Sequence, residues 1–171
     1  MNTEVAYRTI ETPIGELLLA ATPIGLIRVL FENSEWDRAL SELRRRVGPV
    51  THDPDALEEA VTQYQEYFAG KRKEFTIPLD MQLITGFRRK ALEHLREVPY
   101  GVVESYAEVA EAAGSPRASR AVGSACANNP LPIVIPCHRV LRADGSIGGY
   151  GGGLGIKERL LDMERGGPAV G

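Results

Sequence analysis

The sequence predicts an α+β fold, with a small N-terminal α/β domain that contains an antiparallel sheet and a mostly helical C-terminal domain that contains a helix-turn-helix. Near the N-terminus, three strand-like runs follow one another, separated by turns that combine Pro and Gly. Helical spacing of apolar residues then takes over and dominates the second half of the chain. With 171 residues, 43% of them hydrophobic and 25% charged, the chain is long enough to bury a core without disulfides or a metal.

The three predicted strands lie close together in the chain. They are Val5–Ile10, Glu16–Ala21 and Leu26–Phe31, and they are separated by Thr12-Pro13-Ile14-Gly15 and by Thr22-Pro23-Ile24-Gly25. Because Pro and Gly together favour tight turns, these separators predict antiparallel pairing of the strands.

Three helices are predicted around the middle of the chain. The first spans Ser34–Val47, with Ser34 as its N-cap, and the second spans Pro54–Phe68. The third spans Phe87–Val98 and stops before Pro99.

The segment Lys71–Asp80 separates the two halves. It contains charged residues and a proline but no helical period, which indicates an extended connector. We therefore place a domain boundary near Asp80, with an N-terminal domain over residues 1–80 and a C-terminal domain over residues 81–171.

A pair of short helices follows in the C-terminal half. The first, Ser105–Ala113, opens with Ser105 and Glu108 in the spacing of a capping box. Gly114 and Ser115 then break the helix, and Pro116 suits the first turn of a second helix that runs to Ala127. Two short helices joined by a Gly-containing turn form a helix-turn-helix, which either binds DNA or simply packs within the core.

Charge is distributed unevenly along the chain. Twenty Lys and Arg against 23 Asp and Glu give a net charge of −3, which taken alone argues mildly against a polyanionic partner. Residues Ala112–Ala143, however, contain no Asp or Glu and four arginines: Arg117, Arg120, Arg139 and Arg142. Small residues beside the first two arginines, together with a helix N-terminus, favour close approach to phosphates. A solvated basic face is the alternative, and charge alone does not decide between them.

Several classes of protein are excluded by composition. Two cysteines cannot form a disulfide framework, and no Cys/His cluster has zinc-finger spacing, so neither a metal nor a cofactor is expected. No apolar run approaches the roughly 20 residues that span a bilayer, and no secretory signal precedes the first strand. We expect a cytoplasmic monomer with reduced thiols and no membrane partner.

The strongest local signal lies in Asn129–Val140. The apolar run Ile133–Ile135 predicts a buried extended stretch, bracketed by prolines, that delivers Cys137 next to His138. A reactive cysteine needs its thiolate, and an imidazole can take the proton directly or through a water. A lone cysteine is more often a small buried hydrophobe, and Cys126, in mid-helix without a charged neighbour, fits that description.

Residues Pro136-Cys137-His138-Arg139-Val140 resemble the active-site motif of the O6-alkylguanine-DNA alkyltransferases. The resemblance extends from Phe87 to Glu164. It includes Pro99-Tyr100-Gly101, Ser105-Tyr106, Ala118-Ser119-Arg120-Ala121-Val122-Gly123, Asn129-Pro130, Gly148-Gly149-Tyr150-Gly151-Gly152-Gly153 and Leu160-Leu161-Asp162-Met163-Glu164. The N-terminal half resembles the family's less constrained N-terminal domain.

The resemblance implies catalytic roles for four residues. Cys137 would be the nucleophile that accepts the alkyl group, and His138 would be its base, acting through a water. Glu164 would orient His138, and Asn129 would be the hinge that ties the active-site turn to the helix-turn-helix.

The resemblance also implies how DNA is held. Arg120 would enter the base stack and replace the flipped nucleotide, and Tyr106 would help rotate the 3′ phosphate and donate a hydrogen bond in the base pocket. Arg117, Ser119 and Gly123 complete the expected DNA-binding set. The expected base pocket consists of Tyr106, the backbone of Val140, and a mobile wall that includes Tyr150 and Gly151.

Two departures from the family pattern are visible. Some members have a serine just after the tyrosine of the wall, where this chain has Gly151, which predicts room for larger alkyl groups. The N-terminal Cys/His zinc ligands of some relatives are absent, in line with the expectation of no metal.

The implied function is direct reversal of DNA damage by a methylated-DNA–protein-cysteine S-methyltransferase. Double-stranded DNA that carries O6-alkylguanine is the implied partner, with O4-alkylthymine and cooperative assembly on DNA left open. The alkyl group would pass irreversibly to Cys137, so each molecule would act once. The alternatives are a non-catalytic alkyltransferase-like protein that only binds the lesion, and a Cys/His hydrolase that turns over an acyl substrate.

Overall fold

The computed structural model describes residues 3–167 and has the predicted mixture of α and β structure. The chain divides between Leu83 and Ile84 into two compact units, a few residues beyond Asp80. The first unit contains a four-stranded sheet and two helices, and the second contains four helices and a two-stranded ribbon.

The sheet of the first unit has the strand order β3-β2-β1-β4. Its strands are β1 (Val5–Thr12), β2 (Gly15–Ala21), β3 (Leu26–Leu30) and β4 (Val50–His52). Strands β1 to β3 are antiparallel, as predicted, whereas β4 runs parallel to β1. The three residues of β4 are too few to show alternation, and the sequence analysis missed them.

Two helices accompany the sheet. Helix α1 (Trp36–Arg46) contributes Leu40 and Leu43 to an apolar cluster with the sheet. Helix α2 (Glu58–Phe68) buries Tyr64 and Tyr67. Both rings pack against the ring of Phe75, with distances between ring centroids of 5.1 Å for Tyr64 and 5.5 Å for Tyr67.

Both helices begin later than predicted. Ser34 is not the N-cap of α1, because its backbone N–H is used in a turn to Phe31 O and Glu35 occupies the cap position. Helix α2 begins after Leu57, whose left-handed φ of 61° interrupts the helical path from Pro54.

The connector before the domain boundary is hydrogen-bonded to the start of β3. Leu26 N–H donates to Pro78 O at 2.9 Å, and Asp80 N–H donates to Leu26 O at 2.8 Å. Any side chain at Gly25 would collide with the backbone of Pro78, so this approach requires glycine. The Asp80 carboxylate is buried and accepts a 2.6 Å hydrogen bond from Thr22 Oγ1.

The second unit is mostly helical, as predicted. Its elements are α3 (Gly86–Leu95), β5 (Glu104–Ser105), α4 (Tyr106–Ala112), α5 (Ser119–Ala127), a 3₁₀ turn at Cys137–Arg139, β6 (Val140–Leu141) and α6 (Leu154–Glu164). Helices α3, α4 and α5 pack on one another, and β5 pairs parallel to β6. Among residues 3–167, no helix is long and apolar enough to cross a bilayer.

Helices α4 and α5 form the predicted helix-turn-helix. The capping box is confirmed, because Ser105 Oγ accepts from Glu108 N–H and the Glu108 carboxylate accepts from Ser105 N–H, both at 3.0 Å. Pro116 lies in the turn and not in the first turn of α5, which begins at Ser119. The turn is therefore longer than predicted.

Candidate active site

A tight buried turn delivers Cys137 to the interior of the second unit. Ile133 and Ile135 are buried, as predicted, but the stretch is not extended, because Ile133 and Val134 form a turn that Ile135 N–H closes onto Leu131 O at 2.9 Å. Ile133 has φ of 76°, which is costly for a β-branched residue. The 3₁₀ turn at Cys137 follows directly.

Asn129 connects the end of α5 to this turn. Its Nδ2 donates to Ile135 O at 2.9 Å and to the Cys137 Sγ at 3.2 Å, while its Oδ1 accepts from Leu131 N–H at 2.9 Å. One amide side chain therefore fixes the main chain on both sides of the turn and touches the sulfur as well.

Glu164, at the end of α6, binds two neighbouring side chains. His138 Nε2 lies 2.7 Å from Glu164 Oε2, and Arg139 pairs with both carboxylate oxygens at 2.7 and 3.1 Å. Arg139 also donates to Val98 O at 2.6 Å, and its guanidinium carbon lies 5.7 Å from the centre of the Tyr100 ring. Arg139 is only 6% exposed, so it is part of the interior and not of a basic surface.

The ionisation of this group follows from its contacts. Burial opposes the charge of Glu164, but the hydrogen bonds and charges of His138 and Arg139 outweigh it and lower the Glu164 pKa to about 2. Burial lowers the pKa of His138, although its bond to Glu164 acts in the other direction. A neutral His138 whose Nε2–H donates to Glu164 has its Nδ1 lone pair available, and Nδ1 has no hydrogen-bond partner in the described part of the chain.

The pKa of Cys137 is lowered although its side chain is buried. The largest cause is a hydrogen bond with the side chain of Cys126; burial acts in the opposite direction, and the Asn129 bond and the Lys157 charge add to the lowering. Cys126 is buried in α5, as predicted, and the charge of Lys157 acts on it from α6.

The sequence analysis missed Lys157. Its side chain is fully buried, and Nζ donates to Val140 O at 2.7 Å and to Gly149 O at 3.1 Å. Burial lowers the pKa of Lys157, and the neighbouring cysteine sulfurs oppose that shift. Helical spacing was the available signal, since Lys157 lies on the same face of α6 as the buried residues Leu160, Leu161 and Glu164.

Tyr106, one of the residues expected in the base pocket, packs closely against two glycines. This side chain is half-buried, and its ring and hydroxyl lie so close to Gly148 that a Cβ there would come within 2.6 Å of the hydroxyl oxygen. A Cβ on Gly123 would contact the same ring at 3.9 Å. The Tyr150 ring meets His138 edge-on at 6.4 Å, and Val140 is buried next to the 3₁₀ turn. Gly151 is exposed.

The turn of the helix-turn-helix and the start of α5 carry exposed arginines among small residues. Arg117, in the turn, and Arg120, in the first turn of α5, are exposed, and Ser119 is partly exposed. Arg142 is also exposed, after β6. Three of the four arginines of the acid-free segment therefore face solvent, whereas Arg139 does not.

Within residues 3–167, no group of three or more His, Cys, Asp and Glu side chains is arranged to hold a metal ion. The groups that act on the Cys137 thiol are the thiol of Cys126, the carboxamide of Asn129 and the ammonium of Lys157, and the imidazole of His138 follows in the chain. Together they can stabilise a thiolate and accept its proton, which are the requirements for nucleophilic catalysis by cysteine.

Comparison with known proteins gives concordant matches over both units. Residues 5–81 match the ribonuclease-like domain of 6-O-methylguanine DNA methyltransferase, and residues 86–166 match its DNA-binding domain. The chain is 42% identical over 161 residues to the constitutive methylated-DNA–protein-cysteine methyltransferase of Bacillus subtilis, covering 93% of this chain and 94% of that protein. It is 40% identical to the crystallised Mycobacterium tuberculosis OGT in complex with DNA, with a TM-score of 0.85 and 96% of each chain covered.

Proposed function

Since the chain belongs to the 6-O-methylguanine DNA methyltransferase family, we propose that Cys137 is the residue that accepts the alkyl group from O6-alkylguanine in DNA. DNA repair by transfer of an alkyl group to a protein cysteine is the function of the family and of this chain. The observation that carries the assignment to Cys137 is its buried sulfur, which accepts a hydrogen bond from Asn129 and is followed directly in the chain by a histidine held by Glu164.

DNA binding precedes the chemistry. An alkyl group at O6 lies inside the duplex, so the nucleotide must leave the base stack at a cost of a few kcal/mol. We assign that step to the helix-turn-helix: Arg117, Ser119 and Gly123 bind the backbone, and Arg120 fills the space that the base leaves. Tyr106 assists rotation of the phosphate and donates a hydrogen bond to the base, beneath a wall that contains Tyr150 and Gly151.

Proton transfer activates the nucleophile. Because Nε2 of His138 is held by Glu164, Nδ1 is the nitrogen that takes the Cys137 proton, through a water. The electron pair on the sulfur attacks the alkyl carbon in line, forming the S–C bond as the C–O6 bond breaks. The electron pair of that bond remains on guanine, whose anion takes up, through water, the proton that His138 removed and so becomes neutral guanine in the strand.

The product determines the stoichiometry. An S-alkyl thioether has no activated carbonyl for water to attack, so we propose one transfer per molecule without regeneration. A hydrolase that turns over an acyl substrate is disfavoured because it gives no role to the helix-turn-helix and to the acid-free segment with its exposed arginines. A protein that only binds the lesion is disfavoured by the presence of Cys137.

We also propose a role for each domain, a cellular compartment and an oligomeric state. We assign catalysis and DNA binding to residues 81–171 and the supporting α/β domain to residues 1–80. The reaction requires a free thiol at Cys137, which a reducing cytoplasm maintains. We propose that the protein acts as a monomer on double-stranded DNA, with guanine the preferred lesion.

Transfer of a labelled methyl group tests the assignment. The protein is incubated with a duplex that carries labelled O6-methylguanine, and the labelled peptide is identified by mass spectrometry. We expect a burst of one methyl group per molecule on the peptide that contains Cys137. Cys137→Ala and Cys137→Ser should bind the duplex and transfer nothing. Label located on Cys126 by fragmentation of the labelled peptide, or transfer by either variant, would contradict the proposal.

A further inference from the structure

We propose that Arg139 is a positioning residue for alkyl transfer, which binds both carboxylate oxygens of Glu164 and so keeps the Glu164–His138 pair in a protonation state that can take the proton of Cys137. This inference rests on the proposed function, in which Cys137 is the nucleophile and His138 is its base. It gives a role in the reaction to a buried arginine that the scheme above leaves unused.

Three hydrogen bonds fix the guanidinium of Arg139. Its Nε donates to Glu164 Oε1 at 2.7 Å, and one terminal nitrogen donates to Glu164 Oε2 at 3.1 Å. The other terminal nitrogen donates to Val98 O at 2.6 Å, in the chain that follows α3. The planar guanidinium therefore holds both oxygens of the carboxylate at once, which the single ammonium of a lysine does not do in the same geometry.

One oxygen of Glu164 is shared by the arginine and the histidine. His138 Nε2 lies 2.7 Å from Oε2, the oxygen that also accepts from Arg139. An ionised carboxylate can only accept hydrogen bonds, so this arrangement places a proton on Nε2 of a neutral ring. Nδ1 is then left with its lone pair, and it is buried without a hydrogen-bond partner within residues 3–167.

The charges of Glu164 and Arg139 cancel without a charge on the imidazole. Both side chains are buried, and without Arg139 the carboxylate would be a buried charge that only an extra proton on the pair could neutralise. That proton would either make His138 an imidazolium or protonate the carboxyl, which would then donate to Nε2 and leave the ring proton on Nδ1. In both cases Nδ1 carries a hydrogen and cannot accept one from Cys137.

Other charged groups act on the imidazole in the same or the opposite direction. Burial is the largest cause that lowers the pKa of His138, and the charges of Arg139 and of Lys157, on α6, add to it. Glu164 opposes them through its hydrogen bond and its charge. Lys157 donates to two main-chain carbonyls and stays in place when only Arg139 is replaced.

Two tyrosines face the group from the remaining elements. The Tyr100 ring, after α3, lies 5.7 Å from the guanidinium carbon of Arg139, and burial and the charge of Glu164 raise the Tyr100 pKa, so its hydroxyl stays neutral. The Tyr150 ring meets His138 edge-on at 6.4 Å. A neutral phenol cannot supply the positive charge that Arg139 provides.

Loss of the guanidinium should change the pH profile of the reaction. An opposite charge in direct contact shifts a pKa by about one to three pH units, so the pair should take up its extra proton at a pH at least about one unit higher. Transfer should then slow at least about tenfold well below the new midpoint, and much less above it. A residue that only maintained the fold would lower the rate by the same factor at every pH.

Four variants separate charge from packing. Arg139→Met removes the charge and keeps an unbranched chain, whereas Arg139→Lys keeps the charge. Glu164→Gln and the double variant Arg139→Met/Glu164→Gln compare the presence and absence of the guanidinium without a carboxylate, and the double variant contains no unpaired buried charge. Arg142→Met removes an exposed arginine of the same acid-free segment and is the control.

Two profiles are measured for each variant. The ring nitrogens of histidine are labelled with ¹⁵N, and their NMR shifts report the protonation of His138 across pH in the absence of DNA. The chain has three histidines, so replacement of His52 and of His94 identifies the remaining signals. Single-turnover transfer from a duplex that carries O6-methylguanine gives the kinetic profile, and thermal unfolding shows which variants are folded.

We expect Arg139→Met to raise the midpoint of His138 protonation by at least about one pH unit, with the acid limb of the kinetic profile moving equally. Arg139→Lys should stay close to the wild-type midpoint, and Arg142→Met should not move it. If Arg139→Met does not fold, the double variant should have a higher midpoint than Glu164→Gln.

An unchanged midpoint in Arg139→Met, an equal shift in Arg139→Lys, or equal midpoints in the double variant and Glu164→Gln would overturn the role of Arg139. Failure of the proposed function is distinguishable from these outcomes. Label from DNA would then be absent from Cys137 in the wild-type protein, while the NMR titration would still report whether Arg139 controls His138.

Discussion

Helix α5 and the 3₁₀ turn at Cys137 lie in one acid-free stretch of sequence, yet their arginines have opposite environments. Arg120 on α5 is exposed, whereas Arg139 in the 3₁₀ turn is 6% exposed and paired with Glu164. Exposed arginines keep their charge available to a polyanion, while the buried arginine has its charge neutralised by a carboxylate from α6. The acid-free segment thus contains exposed arginines, which can bind a partner, and a buried arginine, which stabilises the fold.

Loss of the carboxylate that pairs with the buried Arg139 should have the largest effect on stability. Glu164→Gln leaves Arg139 buried without its counter-charge, which we expect to lower the free energy of unfolding at neutral pH by about 3 to 5 kcal/mol in urea denaturation. Glu158→Gln is the matched control, because this exposed glutamate lies on the same helix, and it should change stability by less than about 0.5 kcal/mol.

The pH dependence sharpens this prediction. The Glu164 pKa is lowered from 4.5 to about 2 by folding, so its contribution is present above pH 4.5 and is lost as the pH falls towards 2. The stability gap between the wild type and Glu164→Gln should therefore narrow over that interval. A gap that stays constant from pH 4.5 to 2 would show that Arg139 and His138 do not hold the carboxylate ionised.

Arg120 should matter for the reaction and little for the fold. Arg120→Ala is expected to slow repair of O6-alkylguanine in duplex DNA at least tenfold, because nothing then offsets part of the few kcal/mol needed to extrude the base. Reaction with O6-benzylguanine as a free base, compared in the same assay, should be nearly unaffected. Equal slowing of both substrates would assign Arg120 to the chemistry instead of to base extrusion.

Arg117 should contribute charge alone. Arg117→Ala is expected to weaken binding to unmodified duplexes of any sequence and to reduce the slope of log K against log salt by about one unit. Binding titrations at several salt concentrations measure this slope. Lys71→Ala removes an exposed lysine from the first unit and serves as the control for net charge. Equal slopes for wild type and Arg117→Ala would remove Arg117 from the interface.

Gly151, close to the end of α5, should give the smallest effect. A Cβ at this position would lie 3.4 Å from Ala127 O, which is an ordinary contact, so Gly151→Ser should be accommodated. One added hydrogen bond to O6 is worth about 0.5 to 1.5 kcal/mol, and we expect a severalfold change in the ratio of O6-methyl to O6-benzyl repair rates. Gly155→Ser, at an open and exposed position, is the control. An unchanged ratio would contradict a role for Gly151 in selecting the alkyl group.

Local signals in the sequence predicted the elements that are determined locally. The capping box at Ser105 and Glu108 fixes the start of α4, and the turn residues fix the antiparallel pairing of β1 to β3. Pro116 was assigned wrongly, because a proline that suits a helix start is equally compatible with the turn before it. The strand prediction for Ile133–Ile135 also failed, since an apolar run signals burial and does not by itself distinguish an extended chain from a buried turn.

Contacts between distant residues were less predictable. The burial of Arg139 depends on Glu164, which lies far along the chain. Counting charges along the sequence does not distinguish the buried Arg139 from the exposed Arg120. Lys157 was not predicted, because its partners are two main-chain carbonyls, which leave no pattern in the sequence. Helical spacing on α6 was the available signal that Lys157 faces inward, but only the folded unit shows what it binds.

The bonds of Asn129 have a thermodynamic consequence. The same residue is attached to the last turn of α5 through Cys126 O and to the sulfur of Cys137 through its amide, so movement of the helix reaches the sulfur across a single side chain. Linkage between two equilibria is reciprocal. Any change that bound DNA makes in the free energy of ionising Cys137 must be matched by an equal change in DNA affinity when Cys137 ionises, so the pH dependence of DNA binding measures this coupling without any chemistry taking place.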